Sequence, residues 1–108
     1  MGFSGNFTGV TVGDDPDVAG AKALFVAGRT DATDAPNAIH IMLPQGAVPQ
    51  IASVRAPGQT AWEVKFSNGN PPFNVGDEVF VVGVATRDAP HDPFVWEASF
   101  KLATKDFL

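Results

Sequence analysis

The sequence predicts an all-β chain, folded over residues 1–108 as one Greek-key β-sandwich of about seven antiparallel strands. Three observations carry this expectation. No segment repeats apolar residues at i, i+3, i+4 and i+7, the spacing of an amphipathic helix. Short runs rich in Val, Ile, Phe and Thr recur between clusters of Gly, Pro, Asn and Asp, the residues that turns require. Two of these runs alternate apolar and polar residues, as a strand does when one face is buried and the other is wet.

Taken in order, the strands fall at about Thr8–Val12, Lys22–Gly28, Asn37–Leu43, Gln50–Arg55, Thr60–Ser67, Asp77–Arg87 and Pro93–Leu102. The breaks between them are Gly13–Pro16, Asp31–Pro36, Pro44–Pro49, Ala56–Gln59, Asn68–Gly76 and Asp88–Asp92. In the fifth strand Trp62, Val64 and Phe66 share one face, opposite Glu63 and Lys65. In the seventh, Phe94, Trp96, Ala98, Phe100 and Leu102 share a face, opposite Glu97, Ser99 and Lys101. The run Val79–Ala85 is apolar on both faces, which predicts a central strand whose outer face is shielded by neighbours or open to a partner. A five-stranded barrel of the oligonucleotide-binding type is the competing all-β architecture, but it spends a helix between its third and fourth strands, where none is signalled here.

Size and composition then narrow the function. At 11.3 kDa the chain should fold to roughly 5,700 Å² of surface from roughly 16,400 Å², enough burial to need no metal or disulfide staple. With no Cys there is no disulfide framework, Cys-based zinc site, iron–sulfur cluster or thiol nucleophile. The net charge is −5, and the seven Lys and Arg stand singly at 22, 29, 55, 65, 87, 101 and 105, so nucleic acid is a poor partner. No apolar run approaches the ~18 residues of a membrane-crossing helix, so no membrane insertion is expected. The opening MGFSGNFTG lacks the basic and apolar segments of a signal peptide.

Upstream of these exclusions stands a resemblance. The stretch GQTAWEVKFSNGNPPFNVGDEVFVVGVATRDA is similar to the last three strands of bacterial immunoglobulin-like domains, which often read Gly-x-x-x-Trp-x-Val, a loop, then Gly-Asp-x-Val-x-Val and Ala-Thr-x-Asp. The matching residues are Gly58, Trp62, Val64, Gly76, Asp77, Val79, Val81, Ala85, Thr86 and Asp88, and ALFVAGRTD resembles the family's second strand. The likeness covers roughly Lys22 to Leu102. Phe80 stands where the family often has Tyr, and no Gly-Asn follows Asp88. The resemblance implies an Ig-like sandwich in an extracellular or surface-exposed setting, and members that bind calcium.

Candidate chemistry is sparse. The repeated Trp-Glu dipeptide places Glu63 and Glu97 on outward positions, where a glycosidase pair some 5–9 Å apart could form, although solvated strand positions explain both. Loop aspartates, above all Asp14, Asp15 and Asp17, could supply oxygens to calcium, or simply form solvated turns. His40 and His91 lie on separate elements without zinc spacing. Arg87, Asp88, His91 and Asp92 could form a small polar cluster in a charged loop. No serine sits in a Gly-x-Ser-x-Gly elbow, and no phosphate loop or dinucleotide fingerprint occurs. Trp62 and Trp96 would be a sugar platform only if their faces were inverted, and the absence of Tyr argues against a carbohydrate surface.

The sequence therefore predicts a non-enzymatic structural or interaction module with no cofactor, calcium being possible. Its partner surface is expected on the outer face of Phe80, Val82 and Val84, contacting a protein or a second copy of the chain. An accessory carbohydrate-binding domain is the alternative.

Overall fold

The computed structural model describes residues 5–30, 38–44, 50–54, 61–67, 73–86 and 94–108. Seven strands form two antiparallel sheets. They are β1 (Gly5–Asp14), β2 (Lys22–Thr30), β3 (Ala38–Leu43), β4 (Gln50–Val54), β5 (Ala61–Ser67), β6 (Glu78–Thr86) and β7 (Phe94–Lys101). One sheet has the order β1-β2-β5, the other β4-β3-β6-β7. A single 3₁₀ turn, Thr104–Asp106, follows the last strand.

The period-2 patterning sets which side of each sheet faces in. Val10, Val12, Leu24, Val26, Trp62, Val64 and Phe66 come from the three-stranded sheet, and Ile39, Ile41, Leu43, Val54, Val79, Val81, Ala85 and Trp96 from the other, with Leu102 just beyond it. Leu24, Val26, Ile39, Ile41 and Val81 are entirely buried. Phe7 binds the two layers: its ring lies 5.9 Å from that of Trp62, edge to face, and 5.8 Å from that of Trp96. Aromatic contacts at such distances add to the area that burial removes from water.

Both sheets solve the bulk of a tryptophan in the same way. Trp62 pairs across strands with Gly28, and Trp96 with Gly83. A Cβ at either glycine would collide with the indole of its partner. The missing side chain lets the ring lie flat on the neighbouring strand, inside the sandwich. Elsewhere glycine serves the backbone: Gly20 and Gly76 hold φ of 78° and 94° in turns.

The sequence reading places all seven strands. β1 is longer than expected at both ends, reaching Gly5 and Asp14, because antiparallel pairing with β2 runs past its glycines, with a register shift between Phe7 and Gly9. β2 likewise continues to Thr30. Asp77 sits in the turn before β6, where its carboxylate accepts the Asn74 N–H at 2.8 Å. Leu102 lies past β7 and exchanges backbone hydrogen bonds with that turn, from Gly76 N–H to Leu102 O and from Leu102 N–H to Asp77 O. The expected strand ends at Asn37, Arg55, Thr60, Arg87 and Pro93 lie outside the described residues.

Candidate functional site: an apolar sheet face and a groove at the sheet edge

Phe80, Val82 and Val84 project from the outer face of β6, each half-buried by its neighbours. Register extends this patch across the sheet. One row runs Ile51, Met42, Val82, Glu97, and the next runs Ser53, His40, Val84, Val95. Ile51 is 65% exposed and Val95 57%. The six apolar side chains thus form one diagonal band, bounded by Glu97, Ser99 and the facing pair Glu78 and Lys101. His40 Nδ1 lies 2.9 Å from Ser53 Oγ on this face.

Met42, Ile51 and Val95 were not among the residues expected at this surface. Met42 and Val95 could have been found by phase, since each alternates with a residue bound for the core. Ile51 could not: in QIASV an isoleucine would ordinarily be given to the interior, but buried Val54 sets the phase and turns Ala52 inward instead.

The aspartates near the β1–β2 turn have a different environment from the one expected. Asp14 Oδ1 accepts from Lys22 Nζ at 2.5 Å, on the surface. Asp15 is not a solvated turn residue; its side chain is 1% exposed. Asp15 Oδ1 accepts from Lys65 Nζ at 2.7 Å and from the Asp17 N–H at 2.9 Å. Lys65 also donates to Asp17. These hydrogen bonds to Asp15 and then Asp17 raise the Lys65 ammonium above the ordinary lysine value of 10.5. The carboxylates are therefore held by lysines, and no group of three or more metal-ligating side chains gathers among the described residues. The aspartates at 31, 34, 88 and 92, with Arg87 and His91, lie outside those residues.

Glu63 and Glu97 do not converge. Each follows a core tryptophan, so each points outward from its own sheet, and the two sheets face away from each other. Both indoles are buried, Trp62 at 6% and Trp96 at 8% exposure, so neither offers a stacking platform.

A groove of about 900 Å³ opens where β4 and β5 meet. Val54, Trp62 and Val64 line its apolar part, and Asp17, Glu63 and Lys65 its charged part. No helix among the described residues is long and apolar enough to cross a membrane. Set beside known proteins, this all-β sandwich stands without a match: no family model, no curated protein and no solved structure matches the chain.

Proposed function

We propose that this chain is a non-enzymatic, Ig-like interaction module that associates with a second copy of itself through the outer face of β4-β3-β6-β7. The observation that carries the reading is the register-built apolar band of Ile51, Met42, Phe80, Val82, Val84 and Val95. Contiguous exposed apolar surface of this kind marks interaction sites on soluble proteins. Strands one, two and five share one sheet and strands three, six and seven the other, the division found in immunoglobulin sandwiches, whereas the fourth strand departs from the seven-strand constant-type order by pairing with the third instead of joining the fifth.

Size bounds the strength. Four strands at about 4.8 Å spacing and seven residues at about 3.4 Å cover roughly 450 Å² per copy. Two copies would bury roughly 900 Å², the range of weak and transient contacts. An isologous pair also keeps the loop aspartates around Asp14 off the interface, since they lie at the strand ends rather than on this face.

Sedimentation velocity over a range of protein concentrations tests the reading. The native chain is expected to shift toward dimer as concentration rises, and Phe80→Lys with Val82→Lys to remain monomeric. A native chain that stays monomeric at millimolar concentration overturns self-association. Calcium uptake at Asp14, Asp15 and Asp17 is a separate reading that would require both lysines to leave.

A further inference from the structure

We infer that the groove between β4 and β5 receives an extended basic peptide, added as a strand along the β5 edge. Its β5 wall belongs to the other sheet from the proposed dimer face, and its β4 wall borders that face at Ser53. Three features converge on one occupant.

The first is the edge itself. Among the described residues β5 pairs with β2 alone and β4 with β3 alone. A strand with one neighbour turns half of its backbone N–H and C=O groups away from the sheet, and an extended chain satisfies them. At the far edge of the same sheet the chain end covers β1 near Val12.

The second is the alternation of the lining. Val54, Trp62 and Val64 belong to the core, while Glu63 and the half-buried Lys65 stand between and beyond them. A peptide strand alternates in the same period, so apolar side chains at every second position would reach the apolar part of the groove.

The third is charge, which selects the chemistry of the remaining positions. The groove is lined by the carboxylates of Asp17 and Glu63 and by one ammonium, Lys65, a local net charge of −1. Lys65 is already engaged by Asp15 and Asp17, so it cannot serve an incoming carboxylate without giving up a buried partner. Glu63 has no such cation beside it among the described salt bridges. A peptide with Lys or Arg at alternate positions complements this wall; an acidic one is repelled. A second copy of β5 would bring the same sign of charge, which directs the edge toward a foreign basic strand rather than toward self-pairing.

The test is an amide-resolved NMR titration with the capped heptapeptide Val-Lys-Val-Lys-Val-Lys-Val, its Glu-for-Lys counterpart, and a version N-methylated at alternate backbone nitrogens. The lysine peptide is expected to shift amides of residues 51–54 and 61–67, with Glu63→Lys weakening binding roughly tenfold at low salt, about the effect of losing one attraction and gaining one repulsion. Glu63→Gln, a smaller change at an exposed position, is expected to weaken it by less. The N-methylated peptide is expected to lose binding, because it cannot pair along the edge. The inference is overturned by an absence of shifts, by equal binding of the glutamate or N-methylated peptide, or by shifts confined to Phe80, Val82 and Val84.

Discussion

The indole of Trp96 occupies the space that a side chain at Gly83 would need. The two are cross-strand partners on β7 and β6, and the same relationship holds between Trp62 and Gly28 on the other sheet. Each sheet therefore carries one large ring whose seat is a glycine. Gly83→Ala is expected to destabilise the fold by about 1–3 kcal/mol through overpacking, read as a lower urea midpoint. The double variant Gly83→Ala with Trp96→Leu should recover part of the loss relative to the sum of the single changes, since the clash is between these two residues. Additive losses in that cycle would show that the glycine serves something other than the ring. Gly28→Ala is expected to cost more than Gly83→Ala, because its Cβ would also lie 2.7 Å from the Asn6 carbonyl oxygen, a backbone atom with little room to move.

The face that crosses β4-β3-β6-β7 separates association from stability. Ile51 and Val95 are more than half exposed, so Ile51→Glu and Val95→Glu remove little burial from the monomer. Each is expected to change unfolding free energy by less than about 0.5 kcal/mol, as surface changes do. Together they should abolish the concentration-dependent dimer seen by sedimentation. A variant that dimerises as well as the native chain would remove the apolar band from the interface.

Much of this architecture was legible in the sequence, and the reasons are local. Trp62, Val64 and Phe66 alternate with Glu63 and Lys65, and the structure buries the first set. Turn residues mark the strand breaks because backbone conformation is a property of a few neighbouring residues. What was not legible is non-local. The seat of Trp96 on Gly83 depends on strand pairing, and no single-strand pattern reveals it. Asp15 reads as an ordinary turn residue until Lys65, 50 positions away, is folded against it. Ile51 looks like a core residue, and only the register with Met42 and the burial of Val54 turn it outward. The surface candidates were thus half visible: the β6 strip could be read from one run, but its extension over β3, β4 and β7 needed the sheet.

The Asp15–Lys65 pair sets a stability limit at alkaline pH. The folded-state pKa of Lys65 lies above its ordinary value of 10.5, so the contribution is fully present below about that pH and is lost as pH rises through the folded value. The chain has no Tyr and no Cys, which leaves lysine as the side chain that titrates between pH 9 and 12. Thermal melts in this window should show a fall in midpoint for the native chain. Lys65→Met should be less stable at neutral pH, because Asp15 stays buried without its cation, and should show a shallower fall. A parallel fall in both proteins would place the alkaline sensitivity elsewhere.

Calcium is expected to leave the midpoint unchanged. Asp14 already holds Lys22, and Asp15 and Asp17 share Lys65, so an ion would have to displace two ammonium groups before gaining its ligands. A ligand that binds the folded state raises the midpoint by mass action, so millimolar calcium offers a direct check against a magnesium control. A rise of several degrees with calcium alone would mean that the lysines yield.

The chain end is built into the fold. After β7, Leu102 is buried and tied to the Gly76–Asp77 turn, and the Ala103 N–H donates to the Asp106 carboxylate at 2.8 Å across the 3₁₀ turn. The chain then returns to β1: Phe107 forms a parallel bridge with Val12, and the Leu108 N–H donates to the Val12 carbonyl at 2.9 Å. The Leu108 side chain passes over Gly13, 3.1 Å from where a Cβ would stand. Phe107 packs on the core cluster, so deleting residues 104–108 removes a half-buried ring and the cover of the β1 edge together. The expected loss is about 2–3 kcal/mol, mostly from apolar area returned to water. Phe107→Ala should account for most of it, whereas Leu108→Ala, at a position 87% exposed, should cost little. Hydrogen exchange gives the local readout. The amides of β1 near Val12 should lose protection in the truncated chain while those of β3 and β6 keep theirs. Uniform loss across both sheets would mean that the strap supports the whole sandwich rather than one edge.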